Sequence, residues 1–185
     1  MKKLKRLKRE LKFEGAIVST YVDTIEMPDQ TTALWDYIEH RKGAAAVVAV
    51  TDQDEIVLVR QYRNALNRET LEIPAGARDD INEDTAVCAK RELEEETGFK
   101  CAKIERILSL KSTVAFCNEL IDVYLATELS QGTQNLDEHE FIEIEFHKLD
   151  DLLNEIYAGN IQDAKTVAGI LAYSNMLRGS KYTEE

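Results

Sequence analysis

The 185-residue chain contains few cysteines that could form disulfide bonds and no long apolar segment that could cross a membrane. Its three cysteines, Cys88, Cys101 and Cys117, have neither an even count nor close metal-ligand spacing, which excludes a disulfide framework and predicts reduced, packed thiols. No apolar run approaches the roughly 20 residues that span a bilayer, and the N-terminus lacks the apolar core of a signal peptide. We therefore expect a soluble cytoplasmic protein with one compact domain.

Basic residues are scarce outside the N-terminus. The chain has a net charge of -12, yet its first 12 residues, MKKLKRLKRELK, hold seven basic side chains and one acidic one. The remaining body is too acidic to neutralise a phosphate backbone, which argues against nucleic acid as a partner. Leu4, Leu7 and Leu11 recur at helical spacing, so the leader is expected to be a short amphipathic helix or a frayed end. A helix that contacts a membrane surface or a partner is the alternative, although we expect no membrane partner.

Only two prolines and eight glycines punctuate the chain, so element boundaries depend mainly on hydrophobic periodicity. This periodicity predicts an N-terminal hairpin, five further strands and three helices. The strands are expected at 15–26, 32–40, 44–51, 56–62, 103–110, 120–127 and 141–147, and the helices at 84–97, 149–157 and 163–178. Asp163 is a candidate N-cap and Gly98 a candidate C′ residue. The predicted fold class is an α/β, or α+β, mixed-sheet sandwich with an N-terminal hairpin extension.

One predicted helix concentrates negative charge. Glu92, Glu95 and Glu96 are spaced i, i+3 and i+4, so their carboxylates share one face beside the apolar stripe of Ala89 and Leu93. Like-charge pairs at this spacing cost about 0.2 to 0.5 kcal/mol each, and burial would add to the cost. Divalent hard cations such as Mg²⁺ satisfy clustered carboxylates, although a solvated acidic face is the simpler interpretation.

The surrounding pattern favours the metal. Residues 76–99, GARDDINEDTAVCAKRELEEETGF, resemble the Nudix hydrolase box, in which a glycine and a glutamate precede Arg-Glu-apolar-x-Glu-Glu-x-Gly-apolar. The second half of the box matches position by position from Arg91 to Phe99, and seven residues separate Glu83 from Arg91 as the pattern requires. Six residues instead of five separate Gly76 from Glu83, which predicts an insertion in the 77–82 loop.

The resemblance extends over about residues 14–178 and is strongest to ADP-ribose pyrophosphatases, through LVRQYRNALNRETLEIPAGA at 58–77 and DAKTVAGIL at 163–171. It implies that Mg²⁺, for which Mn²⁺ can substitute, is held by box glutamates and by the carbonyl before the box glycine. The implied metal ligands are Ala75, Glu92, Glu95, Glu96 and Glu140. The implied catalytic residues are Glu138, as general base in the loop LDEHEFIE, and Glu95. Asp137, Glu140 and Glu143 are near-equivalent candidates for the base.

Four further residues are candidates for binding the substrate. Arg60 and Arg63 lie at the end of a strand ahead of the box, where a guanidinium can clamp phosphate, although they can equally be surface arginines. Glu72 can contact the ribosyl group or serve the structure alone. Trp35, the only tryptophan, can stack on adenine in a partner's site, or pack in a core or dimer contact.

The resemblance also implies a homodimer formed by exchange of the N-terminal region. Residues 1–43 are expected to be a leader and dimerising hairpin, and residues 44–185 the Nudix hydrolase domain. The expected reaction is hydrolysis of ADP-ribose, a nucleoside diphosphate sugar, to AMP and ribose 5-phosphate. Another sugar nucleotide such as GDP-mannose, or a sensor that binds without cleaving, is the alternative. STVAFCNE at 112–119 lacks the Pro-Gly turn common near the substrate in these hydrolases.

Overall fold

The computed structural model describes residues 3–179. Ten strands and three helices follow in chain order: β1 (Lys5–Glu14), β2 (Val18–Glu26), β3 (Thr32–His40), β4 (Ala44–Val50), β5 (Glu55–Arg63), β6 (Arg68–Glu72), β7 (Ala75–Ala77), α1 (Thr85–Thr97), β8 (Phe99–Lys111), β9 (Leu120–Gln131), β10 (Ile142–Lys148), α2 (Leu149–Tyr157) and α3 (Ala164–Leu177). The mixed α+β class predicted from the sequence is confirmed. No helix in this part of the chain is long and apolar enough to cross a membrane.

A mixed seven-stranded sheet forms the body of the molecule. Its strand order is β10-β5-β4-β9-β8, with β6 paired to β5 and β7 paired to β4. Central strand β4 has the sequence AAAVVAV and is buried on both faces, as its unbroken apolar run predicted. Ala46, Val48 and Val50 face the core shared with α2 and α3, whereas the alternate residues face the core under α1. The sheet is therefore the middle layer of a sandwich.

The N-terminal leader is a strand, so the expectation of a helix or frayed end is wrong for the described residues. β1 joins the predicted β2-β3 hairpin as the edge of a three-stranded antiparallel sheet. Arg9 explains the difference, because its guanidinium forms two hydrogen bonds of 2.7 and 2.6 Å to Asp23 and lies 3.6 Å from the centre of the Tyr37 ring. Register shifts next to Leu7 and Lys12 interrupt the alternation that would have revealed a strand. Residues 1 and 2 lie outside the described residues.

The two sheets meet at the loop that lacks the Pro-Gly turn. The backbone N–H of Ile38 in β3 donates to the carbonyl of Phe116 over 2.6 Å, and Ile38 forms an isolated bridge with Cys117. Asn118 accepts a hydrogen bond of 2.7 Å from the backbone N–H of His40. Residues 116–118 thus act as a short extension of the N-terminal sheet. The boundary predicted at residues 43 and 44 falls between β3 and β4, and residues 180–185 of the predicted domain lie outside the described residues.

Candidate active site

Helix α1 positions the acidic side chains, and its ends are fixed locally. The Asp84 side chain accepts a hydrogen bond from the backbone N–H of Ala86 over 2.7 Å at the N-terminus. Gly98 adopts φ of 70° and donates its N–H to the Glu94 carbonyl, as the predicted C′ glycine should. The hydroxyl of Thr85 donates to buried Asp122 on β9 over 2.8 Å. These contacts set which residues of α1 face the sheet.

Arg91 supplies the counter-charge for the carboxylates around it. Its Nη1 donates to Glu92 over 2.7 Å and to Glu95 over 2.9 Å, and its Nη2 donates to the Ala77 carbonyl over 3.0 Å. Glu83 contacts the same guanidinium at 3.4 Å. Glu83, rather than Asn82, is therefore the partner of Arg91, and the extra residue is absorbed by the loop before it, where Asn82 donates to Asp80.

The Glu92 carboxyl lies directly over Gly76. A Cβ at residue 76 would stand 2.2 Å from the Glu92 carboxyl carbon, so only glycine leaves room for the acid. Burial raises the pKa of Glu92 to about 7, against the opposing effect of Arg91. Burial therefore disfavours the ionised form of this carboxyl despite its pairing with Arg91.

Glu96 is more deeply buried, with 3% of its surface exposed. Its Oε2 accepts a hydrogen bond of 2.9 Å from the backbone N–H of Ala75. Burial raises the pKa of Glu96 to about 8, and the neighbouring charges of Glu92 and Glu140 add to the effect of burial. The structure thus brings Glu92 and Glu96 together with the Ala75–Gly76 backbone, which pairs with the central strand β4.

The acidic loop before β10 docks on the C-terminal end of α1. The backbone N–H of Asn135 donates to the Glu95 carbonyl over 2.9 Å, and the Gln134 side chain donates to the Glu96 carbonyl over 2.8 Å. The charge of Glu140 contributes to raising the pKa of both Glu92 and Glu96, and its role as a metal ligand stays a prediction. Glu138 is exposed in a turn of the same loop. Its role as general base stays a prediction.

The donor chemistry of this cluster suits a hard divalent cation. Carboxylate oxygens and a backbone carbonyl are the ligands that Mg²⁺ accepts, and a bound cation would favour the ionised forms of Glu92 and Glu96. Among residues 3–179, however, no three His, Cys, Asp or Glu side chains are already arranged around one point as a metal site. Arg91 pairs with the carboxylates of Glu92 and Glu95 at 2.7 and 2.9 Å. A cation held by these two acids would take the place of that pairing.

The predicted phosphate clamp is occupied by internal ion pairs. Arg63 donates two hydrogen bonds, of 2.7 and 2.6 Å, to Glu72, and Arg60 pairs with Glu145. Glu72 also accepts hydrogen bonds from Thr70 and from Lys165 of α3. Lys165 was missed by sequence reasoning, because nothing local signals a partner 93 residues away. Substrate contacts by Arg60, Arg63 and Glu72 stay predictions.

Trp35 lies on the three-stranded sheet and not in the acidic cluster. Its side chain is 46% exposed and lines a groove with Leu34, Ile38 and Phe116, between β3 and the 112–117 loop. None of the acidic residues of α1 lines this groove. Trp35 is therefore not placed to contact a substrate at α1 of its own chain. Its role across a dimer stays a prediction.

Comparison with known proteins places these features in a family. The model of the NUDIX domain family matches residues 40–169. The "Methanol dehydrogenase activator" of Bacillus methanolicus is 39% identical over 90% of both chains, and the "ADP-ribose pyrophosphatase" of Bacillus subtilis is 37% identical over 90% of both chains. A solved structure described as "Crystal structure of ADP compounds hydrolase" superposes with a TM-score of 0.88, covering 99% of this chain and 98% of the other at 18% identity.

Proposed function

The chain belongs to the NUDIX domain family as a hydrolase, and from this premise we propose that it cleaves the diphosphate of ADP-ribose to give AMP and ribose 5-phosphate. The observation that carries the proposal is the pair of Glu92, which is partly buried over Gly76, and Glu96, which is almost fully buried beside Ala75; burial raises the pKa of both carboxyls. The likeness to an "ADP-ribose pyrophosphatase" at 37% identity supports the choice of substrate.

The residues divide the chemistry between them. Glu92, Glu95, Glu96, Glu140 and the Ala75 carbonyl would hold Mg²⁺, or Mn²⁺ in its place, and the bound cation would neutralise the diphosphate and polarise a water molecule. Arg63 and Arg60 would turn part of their guanidinium surface to the phosphates. Glu138 would remove a proton from the attacking water, since it lies in a loop that is docked on α1. Arg91 bridges the carboxylates of Glu92 and Glu95, to which its Nη1 donates two hydrogen bonds.

Two other functions remain as alternatives. Hydrolysis of a different sugar nucleotide is supported by the likeness to "GDP-mannose pyrophosphatase" of Cronobacter sakazakii, which is 30% identical over 74% of both chains. A Nudix sensor that binds a nucleotide sugar without cleaving it is the other. The complete set of box acids, Glu92, Glu95 and Glu96, argues for hydrolysis, because a sensor does not need to bury carboxyls at the cost described above.

The deciding experiment is a panel of nucleoside diphosphate derivatives incubated with the protein and Mg²⁺ or Mn²⁺, with products identified chromatographically. We expect AMP from ADP-ribose, with the highest kcat/KM in the panel. A higher kcat/KM for GDP-mannose would replace the substrate, and binding without release of any nucleoside monophosphate would favour the sensor.

We also propose a cytoplasmic homodimer that uses residues 14–40. In this arrangement Trp35 of one protomer would stack on the adenine bound by its partner. Exposed Leu34 and Trp35 on the three-stranded sheet support an interface there. The acidic body supports the expectation that neither nucleic acid nor a membrane is the partner.

A further inference from the structure

Residues 72–75 link β6 to β7 and carry the backbone of the candidate metal site. Because Pro74 has no N–H, the backbone donors that follow Glu72 in this segment are those of Ile73 and Ala75. Ala75 donates to Glu96 of α1 over 2.9 Å, and Ile73 donates to Thr166 of α3 over 2.9 Å. Two helices from opposite faces of the sheet thus hold one short segment.

The hydroxyl of Thr166 is oriented for this contact. It is fully buried, and it donates its own proton to the Asp163 carboxylate over 2.6 Å. The same oxygen of Asp163 accepts the backbone N–H of Thr166 over 3.0 Å, which is the N-cap of α3. Since its proton is committed to Asp163, the Thr166 oxygen presents a lone pair to the Ile73 N–H.

Lys165 provides a second contact to the segment. Its Nζ donates to Glu72 and, over 3.0 Å, to Asp163. The Glu72 carboxylate is therefore held between Lys165 of α3 and Arg63 of β5, with Thr70 as a third donor at 2.6 Å. A buried carboxylate with this many donors is fixed in position, and so is the backbone that carries it.

Close packing of α3 against the sheet makes both contacts possible. A Cβ at Gly169 would lie 3.0 Å from Val48 Cγ2 and 3.2 Å from Ile73 Cδ1, so glycine allows the helix to approach the segment. Ile73 is itself fully buried. Helix α3 thus constrains the segment in three ways. Lys165 binds the Glu72 side chain, Thr166 binds the Ile73 backbone, and Gly169 allows close packing on Ile73.

We propose that Asp163, Lys165 and Thr166 are positioning residues, which set the place of the Ala75 carbonyl in the metal site by clamping Glu72 and Ile73 from the far face of the sheet. This inference deepens the proposed function and rests on its assignment of Ala75 as a metal ligand. Residues around metal ligands commonly change metal affinity by about 10-fold to 100-fold when they are removed, because the ligands lose their orientation.

Thr166→Val tests the proposal, with Thr166→Ser as the matched variant that keeps the hydroxyl. We expect Thr166→Val to bind Mn²⁺ on the order of 10-fold more weakly in calorimetric titration, whereas Thr166→Ser stays within about twofold of wild type. Hydrogen exchange gives an independent measurement. The amides of Ile73 and Ala75 should exchange faster in Thr166→Val and as slowly as wild type in Thr166→Ser.

Loss of stability alone must be separated from loss of position. Leu152→Ala removes a buried side chain of the same core on α2 and should lower the unfolding temperature, while it leaves the hydrogen bonds from residues 165 and 166 to Glu72 and Ile73 in place. If Thr166→Val and Leu152→Ala lower the unfolding temperature alike and neither changes Mn²⁺ affinity, the positioning role is wrong. Lys165→Met provides a second variant should Thr166→Val fail to fold, with the same expected loss.

Hydrolysis is measured separately, so that the two proposals can fail independently. If wild type binds Mn²⁺ and Thr166→Val loses it, but no nucleoside diphosphate is cleaved, the positioning role stands and the proposed reaction falls. If ADP-ribose is cleaved and all variants keep wild-type Mn²⁺ affinity, the reaction stands and the positioning role falls. A wild type that binds no Mn²⁺ overturns the positioning role.

Discussion

Glu96 is the residue in which burial and proposed chemistry are most closely tied. Its carboxyl is almost fully buried, it accepts the Ala75 N–H, and its pKa is raised to about 8 by burial. Glu96→Gln keeps the acceptor and the shape while removing the charge that a metal requires. We expect turnover to fall on the order of 10²-fold or more. The unfolding temperature should stay close to that of wild type, because a neutral side chain costs less to bury.

Glu94→Gln is the control for this change on the same helix. Glu94 faces away from the cluster and pairs with Lys100 at 3.1 Å on the surface. Its neutralisation should leave kcat near the wild-type value. Equal losses in Glu94→Gln and Glu96→Gln would mean that the total charge of α1, and not a specific ligand, governs the rate.

Gly76 gives a second prediction for a single residue. In Gly76→Ala the new methyl group would stand 2.2 Å from the Glu92 carboxyl, so the carboxyl must move. Glu92 can move by rotating a flexible side chain, so we expect a folded protein with the wild-type circular dichroism spectrum. Its kcat/KM should fall by about 10-fold to 100-fold, since the proposed metal ligand would be displaced. Wild-type kcat/KM in this variant would remove Glu92 from the ligand set.

At the scale of elements, Glu72 of β6 forms ion pairs with Arg63 of β5 and Lys165 of α3. Burial by itself raises the pKa of Glu72, but the Arg63 hydrogen bonds and the Lys165 charge outweigh it and lower the pKa from 4.5 to about 2. Because the folded-state pKa is the lower one, this stabilisation is present above about pH 4.5 and is lost as pH falls toward 2. A shift of this size corresponds to roughly 3 kcal/mol.

Denaturant unfolding at several pH values measures this linkage. Between pH 6 and pH 3 the unfolding free energy of wild type should fall more steeply than that of Glu72→Gln, which has no carboxyl to protonate. The variant should be less stable than wild type at pH 6, because Arg63 and Lys165 lose a buried partner. Parallel pH profiles for the two proteins would contradict the assigned shift.

Elements whose signals are local could be predicted from the sequence. The C-cap of α1 at Gly98, the N-cap of α3 at Asp163 and the burial of β4 depend on neighbouring residues, and the structure has them where they were expected. The strand β1 could not be predicted, because its conformation depends on Arg9 binding Asp23, 14 residues away. The hydrogen bond from the Ile73 N–H to Thr166 joins residues that are 93 positions apart, and it could not be predicted for the same reason.

In the acidic cluster too, features that depend on local spacing could be predicted, whereas long-range contacts could not. The common face of Glu92 and Glu96 follows from helical spacing, so the sequence was sufficient to place them together. The partition of Arg91 among several carboxylates, and the pairing of Arg63 with Glu72, depend on tertiary contacts that spacing does not encode. Helical spacing therefore predicted which side chains share a face of α1, but not the contacts that those side chains make.

At the scale of the whole molecule, surface chemistry is divided between the two sheets. The three-stranded sheet exposes large apolar side chains, among them Leu11, Phe13 and Leu34, while β1 carries basic residues. Scattered apolar residues are ordinary on a surface, but a concentration on one small sheet indicates an interface. The remaining acidic body offers a complementary surface for basic β1 in a second copy of the chain.

Sedimentation equilibrium tests this interface directly. Wild type should sediment at twice the chain mass of 21.0 kDa. Leu34, which is 72% exposed on β3, would be buried between protomers, so Leu34→Glu should shift the protein to the monomer mass because a charge would enter an apolar contact. Tyr157→Glu is the matched control, since Tyr157 is 79% exposed at the end of α2, away from the three-stranded sheet.

The same variants link the interface to the site. If Trp35 stacks on the partner's adenine, Leu34→Glu and Trp35→Ala should both raise KM for ADP-ribose about 10-fold or more while kcat changes less, because stacking contributes to binding. Tyr157→Glu should keep the wild-type KM. A wild type that sediments as a monomer would remove both the dimer and the cross-protomer role of Trp35. If Leu34→Glu still sedimented as a dimer, the interface would have to lie on another surface.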